Sequence, residues 1–225
     1  MHTSELPPIV ERKIKLMKSG PPNSTIFVLG ATGSGKTQLI ADLVLQCPRF
    51  VIFDTRKDFE EKFMRATVVF SPKEMLEKLA NKATQRIVFR LSVFDTAGFD
   101  IAMKAIYQFQ ELNHKLLPPI KVVVDELNRF ADSGAWGENF ATVIQNGRDY
   151  KIEKVFGAQW FGSLPTWVRD TITEIYAFKH TDDAGVDRLQ KFGFFGDDLR
   201  NLPPYHTLYY GKGEVKTVKI VGSPT

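Results

Sequence analysis

The chain has 225 residues, 43% of them apolar, which suits one domain with a real core and argues against wholesale disorder. Its net charge of +4 is mildly basic, compatible with an anionic partner without requiring one. The single cysteine, Cys47, excludes an intramolecular disulfide and fits a reducing compartment. The first ten residues lack the shape of a signal peptide, and no apolar stretch is long enough to span a bilayer. The expectation is a soluble, intracellular protein.

Residues 1–24 read as a charged arm broken by Pro7-Pro8 and Pro21-Pro22, and residues 25–225 as one domain. Thr25 to Leu29 reads as a buried strand, followed by glycines and a helical pattern carrying Leu39, Ile40, Leu43 and Val44. Phe50 to Phe53 and Thr67 to Phe70 are further short apolar runs. Ser71-Pro72-Lys73-Glu74 is a capping box that should open a helix to about Asn81. Arg86 to Leu91 predicts a strand, Phe99 to Lys115 a helix, and Ile120 to Val124 the most apolar strand. Residues 138–147 predict a short amphipathic helix, and Lys154 to Ala158 and Glu174 to Phe178 two more strands. The tail predicts a hairpin within about 205–221, around Gly211-Lys212-Gly213. Short apolar strands alternating with helices imply an α/β fold, a mostly parallel central sheet with helices on both faces. Ligands in such folds bind at the carboxyl ends of the strands.

Gly30-Ala31-Thr32-Gly33-Ser34-Gly35-Lys36-Thr37 matches the P-loop pattern in full, after a predicted strand and before a predicted helix. Glycines let backbone N–H groups wrap a phosphate that side chains would block. The following helix turns its positive end toward the anion. Lys36 is expected at the β- and γ-phosphates, and the Thr37 hydroxyl at Mg²⁺. Val122-Val123-Val124-Asp125-Glu126 fits the companion Walker B role. There an apolar strand delivers Asp125 to the metal, and Glu126 can orient and deprotonate an attacking water. Asp95-Thr96-Ala97-Gly98 copies a GTPase switch motif, but no guanine-reading N-K-x-D follows it. It reads better as a turn before a helix, so ATP is favoured over GTP.

The order of motifs continues with Phe53-Asp54-Thr55-Arg56-Lys57 between the two sites. Asn146-Gly147-Arg148, Val155-Phe156-Gly157-Ala158-Gln159 and Leu164-Pro165 follow them. Over roughly residues 25–180 this resembles the HerA/FtsK superfamily of DNA-pumping P-loop ATPases, with a RecA-like (ASCE) fold. Compact size and motif order are similar to the genome-packaging ATPases of tailless viruses with an internal membrane. The resemblance implies that Gln159 senses the γ-phosphate. It implies that an arginine acts across a subunit interface, with Arg148 first and Arg169 second. It further implies a hexameric ring gripping double-stranded DNA by its backbone, and partners at a viral capsid vertex or among its membrane proteins. The setting implied is the host cytoplasm or the packaging vertex. Arg56, Lys57, Lys62, Arg129 and Trp136 are possible DNA contacts. Three other readings stay open: a conjugation or chromosome-handling motor, a P-loop kinase, and an assembly protein that keeps ATP without hydrolysing it. The four scattered histidines suggest no zinc site.

Overall fold

The computed structural model describes residues 24–45, 47–59, 66–80, 85–91, 95–130, 136–180 and 182–219. The predicted arm lies outside these residues except for Ser24, as does Lys62.

The first described element is β1 (Thr25–Leu29), all five residues buried, and the chain turns from it through the glycine loop into α1 (Lys36–Leu45). Leu39, Ile40 and Val44 make the buried stripe of α1, at the spacing of one helix face. The strands β2 (Phe50–Phe53) and β3 (Thr67–Val69) precede α2 (Pro72–Ala80). The capping box forms: the Ser71 hydroxyl accepts from Glu74 N at 3.2 Å. The Glu74 carboxylate reaches one residue further out than the pattern predicts, accepting from Phe70 N at 3.0 Å.

After β4 (Arg86–Phe89) comes α3 (Thr96–Asn113), which starts three residues before the predicted Phe99. The Asp95 carboxylate accepts from Gly98 N at 2.7 Å, so the GTPase-like tetrapeptide is this helix's N-cap. The strand β5 (Ile120–Val124) is buried throughout, and α4 (Glu138–Asn146) and β6 (Ile152–Ala158) follow. A four-residue helix, α5 (Thr166–Arg169), leads to β7 (Glu174–Ala177). The helices α6 (Asp183–Gln190) and α7 (Gly196–Asn201) were not predicted; they are short, with three buried residues each. The hairpin is β8 (His206–Gly211) with β9 (Glu214–Lys219).

These strands form one sheet in the order β3-β4-β2-β5-β6-β1-β7-β8-β9. Pairing is parallel from β3 through β7, and antiparallel only at β7–β8 and β8–β9. Alternate residues of each strand point to opposite faces. Ile26, Val28, Ile52 and Val123 pack with α1 on one face. Phe27, Leu29, Phe53, Val122 and Phe156 pack with α2, α3, α4, α6 and α7 on the other. Much of the phenylalanine content fills this second layer: Phe99 stacks on Phe130 at 4.2 Å and meets Phe53 edge-on at 5.0 Å. The strand order has one consequence for the site. β6 lies between the P-loop strand β1 and the acidic strand β5, so three consecutive strands end at one edge around one point.

Candidate functional site at the carboxyl edge of the sheet

The loop from Gly30 to Gly35 leaves β1 at the centre of that edge. Gly33 and Gly35 take φ of +80° and +104°, values a side chain would oppose. Ala31, Thr32 and Gly33 form the exposed tip, and Ser34 and Gly35 lead back to α1. Lys36 is 7% exposed and curls over the loop, donating to Gly30 O at 2.6 Å and Ala31 O at 3.0 Å. Burial lowers its ammonium pKa, and the carboxylates of Glu126 and Asp125 oppose that shift.

Asp125 and Glu126 follow β5 directly and are 8% and 7% exposed. The Thr37 hydroxyl donates toward the Asp125 carboxylate, 3.3 and 3.2 Å from its two oxygens. Burial raises the Asp125 pKa to about 6, against the Thr37 hydrogen bond and the Lys36 charge. A hydroxyl beside a carboxylate is an oxygen donor pair suited to Mg²⁺, which keeps several waters and is usually completed by substrate phosphates. Among the described residues no group of three or more His, Cys, Asp or Glu is placed to hold a metal ion by itself.

Gln159 follows β6 and bridges the two halves. Its Nε2 donates to Thr32 Oγ1 at 2.9 Å and to Glu126 Oε2 at 3.1 Å. The main chain here is pinned by Asn128, whose Oδ1 accepts from Gln159 N at 2.9 Å and Trp160 N at 3.3 Å. Sequence reasoning missed Asn128, which belongs to no motif and lies 31 positions from its partner. Close approach of β5 and β6 requires Gly157: a Cβ there would lie 2.0 Å from the Asp125 carbonyl oxygen.

Arg56 was read as a DNA contact, and its guanidinium reaches the catalytic candidate: Nη2 lies 3.9 Å from Glu126 Oε2. The loop carrying it is anchored by the buried Asp54 carboxylate, which accepts from the backbone N–H of Arg56, Asp58 and Phe59. Lys57, exposed at φ 65°, and Arg129, whose Nη1 donates to Thr55 Oγ1 at 3.3 Å, belong to the same edge. Trp136 is not a free surface aromatic; it stacks on Phe140 at 5.2 Å.

The arginines proposed for a neighbour's site are not brought here. Arg148 is exposed in the turn Gly147–Tyr150 before β6, at the amino edge, across the sheet from the P-loop. It lies too far to reach the glycine loop of its own chain. Arg169 donates to Thr166 Oγ1 at 2.8 Å within its own short helix.

A family model for the DNA-binding domain of type IV secretion-system coupling proteins matches residues 16–79. No curated protein sequence matches the chain. Among solved structures, the genome packaging NTPase B204 from Sulfolobus turreted icosahedral virus 2, with sulfate, is similar at TM-score 0.72 and 16% identity. The match covers 90% of this chain and 98% of that one. VirB4 of Thermoanaerobacter pseudethanolicus is similar at TM-score 0.68 and 11% identity, covering 92% of each chain. The bacterial conjugative coupling protein TrwB is similar at 0.61 and 12% identity, covering 87% of this chain and 84% of that one.

Proposed function

From a chain with the fold of the HerA/FtsK-type P-loop ATPases, we propose an ATP-driven motor that moves double-stranded DNA. The observation that carries the reading is convergence. Lys36 and Thr37, Asp125 and Glu126, and Gln159 arrive from three adjacent strand ends at one edge, where Thr37 bonds to Asp125 and Gln159 bonds to Glu126 and to Thr32 of the glycine loop.

The chemistry follows from that placement. The loop amides and the α1 N-terminus would hold the β-phosphate. A phosphate oxygen would draw Lys36 off the Gly30 and Ala31 carbonyls. Thr37 and Asp125 would hold Mg²⁺, which when bound neutralises charge on the phosphate oxygens. Glu126 would orient a water toward the γ-phosphorus and take its proton. Gln159, bonded to both Thr32 and Glu126, would register whether the γ-phosphate is present. A carboxylate placed to activate water favours hydrolysis over transfer to a small substrate, which sets the kinase reading aside.

DNA enters through Arg56, Lys57 and Arg129, cations on loops at the same edge. They would contact phosphates without reading bases. Arg56 touches Glu126 as well, so a grip on DNA and the readiness of the base would share a residue. Subunits in a head-to-tail ring, a hexamer in this reading, would let one protomer's arginine complete its neighbour's site. Arg148, exposed at the opposite edge, is the arginine assigned to that role.

The particular cargo we assign is a viral genome, entering a preformed capsid with vertex or membrane proteins as partners. Supporting it, the similarity to B204 runs over nearly the full length of both chains. The coupling-protein family match favours a second reading, DNA transfer in conjugation. Steady-state ATP hydrolysis with and without double-stranded DNA, at two salt concentrations, tests the motor. Stimulation by DNA of any sequence, weakened by salt, is expected. Hydrolysis indifferent to DNA at both salts would remove the DNA-moving part and leave an ATPase.

A further inference from the structure

The nucleotide reading also determines where the rest of the nucleotide goes, and this inference rests on it. Glu126 and Gln159, which face the γ-phosphate, stand on the β5–β6 side of β1. The loop and Lys36 occupy the middle. The α-phosphate, ribose and base must therefore leave on the other side of β1, over β7 and the start of β8.

Two aromatic rings stand there. A Cβ at Gly35 would lie 3.4 Å from Phe178 Cε1 and 3.5 Å from Tyr205 Cδ1, so both rings lie against the loop where α1 begins. They differ in what they can still touch. Phe178 is 1% exposed and belongs to the core on the α1 face. Tyr205 is only partly buried. Its backbone is left-handed, at φ 59°, a conformation uncommon for a bulky residue and frequent where a site holds a side chain in place. The turn that holds it is closed by His206, whose N donates to Pro203 O at 3.2 Å.

We infer that Tyr205 is the base platform of the site, its ring lying face to face with the nucleobase beyond the α-phosphate. A ring face meets the π-surface common to all bases and leaves the hydrogen-bonding edge unread. Tyr205 therefore adds affinity for a purine nucleotide without choosing adenine over guanine.

The test is equilibrium binding by calorimetry, on the full chain with Mg²⁺, of ATP, GTP and inorganic tripolyphosphate. Tyr205→Ala is expected to weaken ATP and GTP alike by roughly 10-fold, the range of a lost base–aromatic stack, and to leave tripolyphosphate within about twofold. Tyr205→Phe should bind all three as wild type does. Tyr205→Gly removes the ring while suiting the positive φ, so it separates loss of stacking from a disturbed turn, and it should behave as Tyr205→Ala. If tripolyphosphate weakens in step with ATP, Tyr205 merely supports the loop and the inference is overturned. If ATP binding is unchanged in both ring-deleted variants, it is overturned too. A wild-type chain that binds neither ATP nor tripolyphosphate would instead overturn the nucleotide reading beneath it.

Discussion

The two edges of the sheet both bury charge and use it differently. At the amino edge, Lys121 on β5 and Glu153 on β6 stand in register and pair at 3.3 Å, with side chains 3% and 5% exposed. Lys154 beside them is 1% exposed, and its Nζ donates to Ile144 O at 3.4 Å, the last turn of α4, where a cation suits the helix dipole. Lys121 and Glu153 lie within the sheet and offset one another locally, whereas burial still disfavours the Lys154 ammonium. At the carboxyl edge, Lys36, Asp125 and Glu126 are about as buried, yet they converge from separate elements onto a glycine loop with an exposed tip. Buried charge by itself therefore marks no site. A site needs buried charges that converge where backbone donors are open to a ligand.

The largest test of this contrast is Lys36→Ala, which should abolish nucleotide binding; measurable ATP affinity in calorimetry would dissolve the distinction between the edges. Next is Glu126→Gln, expected to hold ATP at wild-type affinity while kcat falls by about 10²–10⁴. Normal turnover in that variant would strip Glu126 of the role of base proposed for it. Third, in the proposed ring, Arg148→Ala subunits mixed with wild type should depress ATPase activity more than their share of the mixture. Proportional loss would leave Arg148 an amino-edge surface residue with no catalytic reach. Fourth, Gly157→Ala should drive β6 from the Asp125 carbonyl and cost on the order of 1–3 kcal/mol, seen as a lower urea midpoint.

The smallest effect tests the amino edge. Burial pushes the Lys154 pKa down to about 8, with Arg148 adding and Asp149 and Glu153 opposing. Its folded value lies below the unfolded one, so the charged ammonium costs stability below pH 8. That cost fades as pH rises from about 8 to 10.5, because the unfolded chain binds the extra proton there. Lys154→Met should therefore be more stable than wild type at pH 7, by on the order of 2 kcal/mol, with the advantage shrinking toward pH 10.5. Urea titrations of both proteins at pH 7 and pH 10 read the difference; an equal gap at both would show that the lysine is not held at an unfavourable charge.

How much of this was legible beforehand depends on how far apart the cooperating residues lie. Gly30 to Thr37 and Val122 to Glu126 are contiguous, so each carries its chemistry in a few adjacent residues. The apolar runs that became β1, β2 and β5 are equally local. The ends of elements moved where caps decided them: Asp95 starts α3 earlier than hydrophobic periodicity suggests, because its carboxylate takes the Gly98 N–H. α6 and α7 escaped notice because so few of their side chains face inward that no period stands out.

Sequence alone thus determined the position of the glycine loop between β1 and α1, the acidic strand end and the α/β class, since each depends on neighbours along the chain. Tertiary structure decided that β6 runs between β1 and β5. That order sets Gln159 between Thr32 and Glu126, Asn128 behind Gln159, and Arg56 on Glu126 rather than on DNA alone. It also decided that Tyr205 returns to Gly35 from the far end of the chain, while Arg148 remains at the opposite edge. Strand order is a long-range choice among packings of similar apolar runs, and nothing in the runs themselves says which will be neighbours.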